Sequence, residues 1–163
     1  MFGGWRGFLG LLVAIAFPLG AGVLGSIPTA SAIPTWYRQI EKPPWNPPSW
    51  VFGPVWTALY TLMGTAVWLV WRLGPEKPEV RTALGLYSGQ LILNALWTPI
   101  FFGLRAPGLA LAEIVPLWGL LAATVVQFFR LKPVAGLLLL PYLMWTTFAT
   151  ALTAEIWRLN RER

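Results

Sequence analysis

Residues 82–102 read TALGLYSGQLILNALWTPIFF, a run without Asp, Glu, Lys or Arg. A transmembrane helix needs about 20 predominantly apolar residues to cross the hydrocarbon core of a bilayer. Four other stretches meet the same requirement, and charged residues, proline or glycine separate them from one another. The sequence therefore predicts five membrane spans, at Phe8–Leu24, Val51–Trp71, Thr82–Phe102, Gly108–Phe129 and Val134–Trp157.

The composition of the whole chain favours a membrane protein. Of its 163 residues, 56% are hydrophobic and 11% are charged, whereas a soluble domain carries about 25% charged residues. The net charge of +6 comes from Lys and Arg scattered singly among apolar runs, so no basic face for nucleic acid forms. The chain has no Cys and no His, which excludes disulfides, thiolate metal sites and the commonest general base.

The short gaps between the spans predict a single domain, residues 1–163, in which consecutive helices pack as antiparallel neighbours. The expected fold class is all-α, a five-helix transmembrane bundle. Proline inside a span removes a backbone hydrogen bond and kinks the helix, and kinked helices splay and leave a cavity. The prolines in question are Pro18, Pro99, Pro116 and Pro141. Lys and Arg divide equally between the two sides, so the orientation in the membrane is not readable.

The longest connection, Ser26–Trp50, joins the first two spans and is rich in Pro and Trp. Two interpretations are open for its aromatic part, Trp36–Trp50: a belt at the membrane surface, or a lid over the mouth of the bundle. Upstream, Ala30-Ser31-Ala32 after an apolar run resembles a signal-peptide cleavage site. That apolar run is longer than in a typical signal peptide, which favours a first helix that stays in place.

A polar stripe marks one face of the third span. Tyr87, Gln90, Asn94, Trp97 and Phe101 recur at steps of three and four residues and so share one helix face. An unpartnered amide in hydrocarbon is costly, so this face is predicted to point into the bundle. There the amides either bond neighbouring helices or line a pocket. Similar spacing occurs in the second and fifth spans, at Trp56, Tyr60 and Met63 and at Pro141, Tyr142, Trp145, Ala149 and Leu152.

Two other features of the spans suggest contacts or function. Gly85 and Gly89 form a G-x-x-x-G motif on another side of the third span, and small residues at this spacing let two helices approach closely. They predict a homodimer face, with internal packing as the alternative. Glu113 lies inside the fourth span, where a carboxyl is functional, near the membrane surface, or protonated.

Three groups of residues follow a recognisable pattern in order and spacing. They are Trp36-Tyr37, Lys42-Pro43, Trp45, Pro47-Pro48, Phe52, Trp56 and Leu59-Tyr60; Asn94 through Gly103; and Pro141 through Trp145 with Ala149-Thr150. Together they resemble the translocator protein family, TspO/MBR, also known as the tryptophan-rich sensory proteins and the peripheral benzodiazepine receptor. The resemblance covers nearly the whole chain.

The resemblance implies a five-helix membrane bundle, commonly a homodimer, that binds porphyrins such as protoporphyrin IX and synthetic isoquinoline carboxamide and benzodiazepine ligands. Some bacterial members are implied to degrade protoporphyrin under light. Animal members also bind cholesterol, but residues 152–158 here lack the tyrosine of the cholesterol motif. The family's pocket positions fall on Tyr37, Trp56, Gln90, Asn94, Trp97, Trp145 and Ala149.

We therefore expect a multi-pass protein of a bacterial cell membrane or outer membrane that binds a tetrapyrrole and requires no cofactor. The macrocycle would stack on Trp56, Trp97 and Trp145, and Arg38 or Lys42 would pair with propionate groups. Light-dependent porphyrin degradation and a ligand-free scaffold are the alternatives. The predicted ligand-binding residues are Tyr37, Trp45, Trp56, Tyr60, Gln90, Asn94, Trp97, Phe101, Tyr142, Trp145 and Ala149.

Overall fold

The computed structural model describes residues 5–161, and within this range the chain forms helices and no strand. The predicted domain, 1–163, extends beyond these residues at both ends. The prediction of an all-α fold is confirmed. The elements are α1 (Trp5–Ala32), α2 (Trp36–Gln39), α3 (Ser49–Trp71), α4 (Pro78–Thr98), a π-helix (Pro99–Gly103), α5 (Pro107–Leu131) and α6 (Pro133–Asn160).

The outer surface of the bundle is suited to lipid. Among the described helices α1, α3, α5 and α6 are long and apolar enough to cross a membrane. α4 is less apolar because it carries the polar stripe, yet it packs against α5, α1 and α3 in the same bundle. Val13, Phe17 and Leu24 on α1 are 68–70% exposed, and such a surface is stable only in an apolar solvent. The chain is an integral, multi-pass membrane protein.

Proline determines where three of the helices begin. Pro78, Pro107 and Pro133 lie at the helix N-termini, where proline sacrifices no helical hydrogen bond and its φ angle already suits a helix. Pro99 instead lies where α4 becomes the π-helix, and the Leu104 N–H donates to the Pro99 carbonyl at 2.9 Å. This five-residue spacing widens the helix locally. The sequence predicts a kink at Pro99, and the structure has a π-helix there.

The first helix is longer than its predicted span, because α1 continues past Leu24 to Ala32. The Ser26 hydroxyl donates to the Val23 carbonyl at 2.7 Å, so its polar group is satisfied within the helix. The connection to α3 therefore covers residues 33–48, with α2 inside it, and the prediction of a loop over Ser26–Trp50 was wrong at its N-terminal end. The Ala30-Ser31-Ala32 tripeptide forms the end of α1.

The bundle has two packed ends. The larger core, around the fully buried Met63, Leu121 and Phe128, lies toward the α3–α4 and α5–α6 turns. A smaller cluster around Tyr37 and Phe101 lies at the opposite end, where α2 covers the bundle. The space between these two clusters is where a cavity remains.

Candidate functional site

A cavity of about 370 Å³ lies among α1, α3, α5, α6 and the junction of α4 with the π-helix. Its volume falls within the range of about 300–1,000 Å³ that small-molecule sites occupy. Most of its wall is apolar or aromatic. The structure brings most of the predicted ligand-binding residues to this wall: Tyr37, Trp56, Tyr60, Asn94, Trp97, Phe101, Trp145 and Ala149.

Asn94 links three helices at the inner end of the cavity. The Tyr60 hydroxyl on α3 donates to Asn94 Oδ1 at 2.8 Å, and Asn94 Nδ2 donates to the Tyr142 hydroxyl on α6 at 2.9 Å. The Asn94 side chain is 5% exposed, so these bonds are shielded from solvent and are costly to break. The sequence left two alternatives for this amide, hydrogen bonds to neighbouring helices or a place in a pocket wall. The structure shows the hydrogen bonds, and Asn94 also forms part of the cavity wall.

Paired aromatic rings form two sides of the cavity. The Trp56 ring stacks on Tyr60 with centroids 5.3 Å apart, and Trp97 stacks on Phe101 with centroids 4.9 Å apart and planes 15° apart. Trp145 packs edge-on against Phe52 at 6.0 Å. Because each indole is supported by a neighbouring ring, these side chains present flat apolar surfaces in fixed orientations.

The loop of residues 33–48 covers the cavity at one end. Tyr37 on α2 is 6% exposed and lines the cavity, and its hydroxyl donates to Asn46 Oδ1 at 2.9 Å. The Lys42 ammonium donates to the Tyr37 and Ile40 carbonyls at 2.7 Å each and lies 5.0 Å from the Tyr37 ring centroid. The contacts of Tyr37 favour the interpretation of this loop as a lid.

Burial within the loop shifts the pKa of both Tyr37 and Lys42. Desolvation raises the pKa of the Tyr37 phenol, although the hydrogen bond with Asn46 opposes the rise. Desolvation lowers the pKa of the Lys42 ammonium. Both directions follow from the cost of burying a charged form, so folding of the lid partly removes these two groups from water.

Several predicted residues lie away from the cavity wall. Gln90 and Tyr142 are fully buried in the bundle behind it. Trp45 packs against Phe148, with centroids 5.8 Å apart, and is 47% exposed. Arg38 is exposed on α2, and Lys42 is already bonded to two loop carbonyls. Direct ligand contact by these residues stays a prediction.

The glycine pair of α4 stays a predicted dimer face. A Cβ on Gly85 would meet no atom within 4 Å, whereas one on Gly89 would lie 3.4 Å from Leu120 on α5. Gly85 is exposed on the outer surface of the bundle. The internal-packing alternative therefore applies to Gly89 and not to Gly85.

Sequence reasoning missed the contribution of α1 and α5 to the cavity. Leu19, Gly22 and Val23 on α1, and Ile114 and Leu117 on α5, form part of the wall. α1 is apolar all round and has no polar stripe that marks one face. The glycine at position 22 could have indicated a close helix contact on this face, since the absence of a side chain makes room for the Tyr60 ring.

Four side chains of the spans have buried polar atoms without a partner among the described residues: Tyr87, Gln90, Trp97 and Glu113. Of these, only Trp97 lines the cavity, and its unpartnered atom is the indole N–H. Both oxygens of the Glu113 carboxyl are buried in α5 outside the cavity wall. A buried donor without an acceptor is unfavourable, so Trp97 offers a hydrogen bond to a molecule in the cavity. A functional role for Glu113 stays a prediction.

Comparison with known proteins agrees with this architecture. Residues 14–158 match the TspO/MBR family. The chain is 48% identical to the translocator protein of Homo sapiens over 126 residues, which cover 77% of this chain and 75% of that protein. It is 42% identical to the tryptophan-rich sensory protein of Cereibacter sphaeroides over 159 residues, 98% of this chain and 94% of that one.

A further relative is the tryptophan-rich protein TspO of Chlorobaculum tepidum, 41% identical over 152 residues, which cover 93% of this chain and 96% of that protein. The matched region contains α3 to α6 up to Arg158, all but the first turns of α1, and every residue of the cavity wall. Given this match and these relatives, the chain belongs to the TspO/MBR family of membrane translocator and sensory proteins.

Proposed function

We propose that this protein binds a porphyrin such as protoporphyrin IX in the aromatic cavity and acts in the sensing or transport of tetrapyrroles. The main support for the proposal is the cavity itself. Three indoles from three different helices line it: Trp56, Trp97 and Trp145. A planar aromatic macrocycle gains most from walls of this kind, because ring stacking adds to the burial of apolar area.

The polar groups around the cavity suit the edge of such a ligand. The unpartnered Trp97 indole N–H is a donor for an acceptor on the ligand. Asn94 has its amide bonded to Tyr60 and Tyr142, so it shapes the inner end of the site. Propionate groups would extend toward the lid, where Arg38 is exposed on α2 and arginine matches carboxylate geometry.

We expect metal-free protoporphyrin to bind with a Kd several-fold lower than that of haem. The chain has neither His nor Cys, and the hydroxyls of the cavity tyrosines Tyr37 and Tyr60 already donate to asparagine oxygens. The cavity therefore offers iron no ready axial ligand. Titrations followed by the Soret band test the expectation, and equal affinities would contradict it.

Removing either of two cavity indoles should weaken porphyrin binding. We expect Trp56→Ala and Trp145→Ala each to raise the Kd about tenfold, because each loses on the order of 1–2 kcal/mol of stacking and apolar contact. Trp50→Ala is the control, since Trp50 is on the same helix as Trp56, is 76% exposed and lies off the cavity wall. Absorbance titration avoids the loss of tryptophan fluorescence. An unchanged Kd in both cavity variants would exclude this site.

A further inference from the structure

A second cavity, of about 320 Å³, lies at the end of the bundle where α2 covers it. Its wall includes Trp36 and Gln39 from α2, Arg105 from the turn before α5, and Trp157 and Asn160 from the end of α6. It shares no residue with the aromatic cavity. It is therefore a separate site, at the end of the bundle where α5 begins and α6 ends.

Arg105 occupies a backbone conformation that arginine rarely adopts. Its φ angle is +54°, in the left-handed region where side chains other than glycine are disfavoured. The residue follows the π-helix, and the neighbouring Leu104 and Ala106 N–H groups donate to the Pro99 and Ile100 carbonyls. Glycine is the usual residue at such a helix end. An arginine in this strained position points to a use for its side chain.

The charge on the wall of this cavity is positive, because Arg105 is the one charged residue among the described residues that line it. None of the residues on its wall is acidic. At this end of the bundle the Glu155 carboxylate is bonded to Arg158 at 2.6 Å. α5 begins at Pro107, two residues after Arg105, and its N-cap residue, Ala106, supplies no side-chain cap. The positive end of the α5 dipole therefore adds to the guanidinium charge.

The remaining wall residues place the site at the membrane surface. Trp36 and Trp157 flank the cavity, and tryptophan is enriched where hydrocarbon meets lipid headgroups. A Cβ on Gly108 would lie 2.9 Å from Trp157 Nε1, so the glycine lets the indole approach the first turn of α5. The Asn160 amide is bonded to the Glu41 backbone at 3.0 and 2.9 Å, and this contact fixes α6 to the loop.

We propose that this second cavity binds the phosphate of an anionic phospholipid headgroup, with Arg105 as its main contact. A guanidinium pairs with phosphate through two parallel hydrogen bonds. Gln39 adds an amide, and the two indoles lie beside the first part of the acyl chains. A zwitterionic lipid brings its own cation to the site, so it gains less from Arg105 than an anionic lipid does.

Native mass spectrometry of the detergent-purified protein tests the proposal. We expect phosphatidylglycerol to bind about tenfold more tightly than phosphatidylcholine, and Arg105→Gln to remove that preference. Arg130→Gln is the control, because it also removes one exposed arginine from a helix end but lies off the walls of both cavities; it should keep the preference. Equal binding of both lipids by the wild type would overturn the proposal, as would inorganic phosphate displacing phosphatidylglycerol at equal concentration.

Arg105→Gly separates a binding role from a structural one. Glycine adopts the left-handed conformation without strain, so the melting temperature in lipid-free detergent should equal or exceed that of the wild type. Phosphatidylglycerol preference should nevertheless be lost. If the variant keeps its preference for phosphatidylglycerol, the Arg105 side chain does not bind the lipid. If its melting temperature falls well below that of the wild type, the residue has a structural role. Either result would overturn the assignment.

Discussion

Replacing Asn94 with leucine is expected to lower the free energy of unfolding by about 3 kcal/mol. The substitution leaves the Tyr60 hydroxyl without its acceptor and the Tyr142 hydroxyl without its donor. A buried polar group that loses its partner costs roughly 1–3 kcal/mol, and two are affected here. Because these bonds join α3, α4 and α6, we also expect porphyrin affinity to fall. Unfolding in mixed micelles with increasing SDS, followed by circular dichroism, measures the first effect.

Gln90→Met is the matched control for Asn94→Leu. Gln90 lies one turn earlier on the same helix face and is fully buried, but its amide has no partner among the described residues. Replacing it with an apolar side chain of similar length removes no hydrogen bond within the described protein, so stability should stay at or above that of the wild type. Similar losses in the two variants would mean that burial of an amide on this face, and not the tyrosine–asparagine bridge, determines stability.

The polar stripe of α4 shows what helical spacing can predict and what it cannot. Spacing placed Gln90, Asn94 and Trp97 on one inward face, and the structure buries all or most of each side chain there. The same spacing gives no information about where along the helix the cavity ends. Asn94 and Trp97 reach the cavity, whereas Gln90 lies beyond it, against the packed core. Position along the axis depends on neighbouring helices, which the pattern of one helix does not encode.

For α1, the sequence predicts that the helix exists but not where it ends or which face lines the cavity. Its existence follows from apolar length alone, yet its last turns contain Gly25, Ser26 and Pro28, residue types that end helices in water. In a membrane the helix continues, because no other arrangement satisfies the backbone polar groups. The same uniform apolarity hides which of its faces lines the cavity, and only packing against α3 selects Leu19 and Val23 for that wall.

Gly64→Ala is expected to lower the free energy of unfolding by about 2 kcal/mol, although it adds a single methyl group. That methyl carbon would lie 2.5 Å from Ile15 Cα and 2.6 Å from the Ala14 carbonyl oxygen. These are backbone atoms of α1, so no side chain can rotate away and the whole helix must shift, which is the costly form of overpacking. Thermal unfolding in dodecyl maltoside measures the effect.

Gly119→Ala in the interior of α5 is the control, because a Cβ there meets no atom within 4 Å and the residue lies off the cavity wall. The two substitutions make the same gain in helix propensity, about 1 kcal/mol, so their difference isolates the α1–α3 crossing. We expect that difference to be about 3 kcal/mol. Gly64 does not line the cavity, but α1 supplies part of the wall. A shift of α1 should therefore also weaken porphyrin binding, and a Gly64→Ala protein with wild-type stability would show that α1 does not approach α3 so closely.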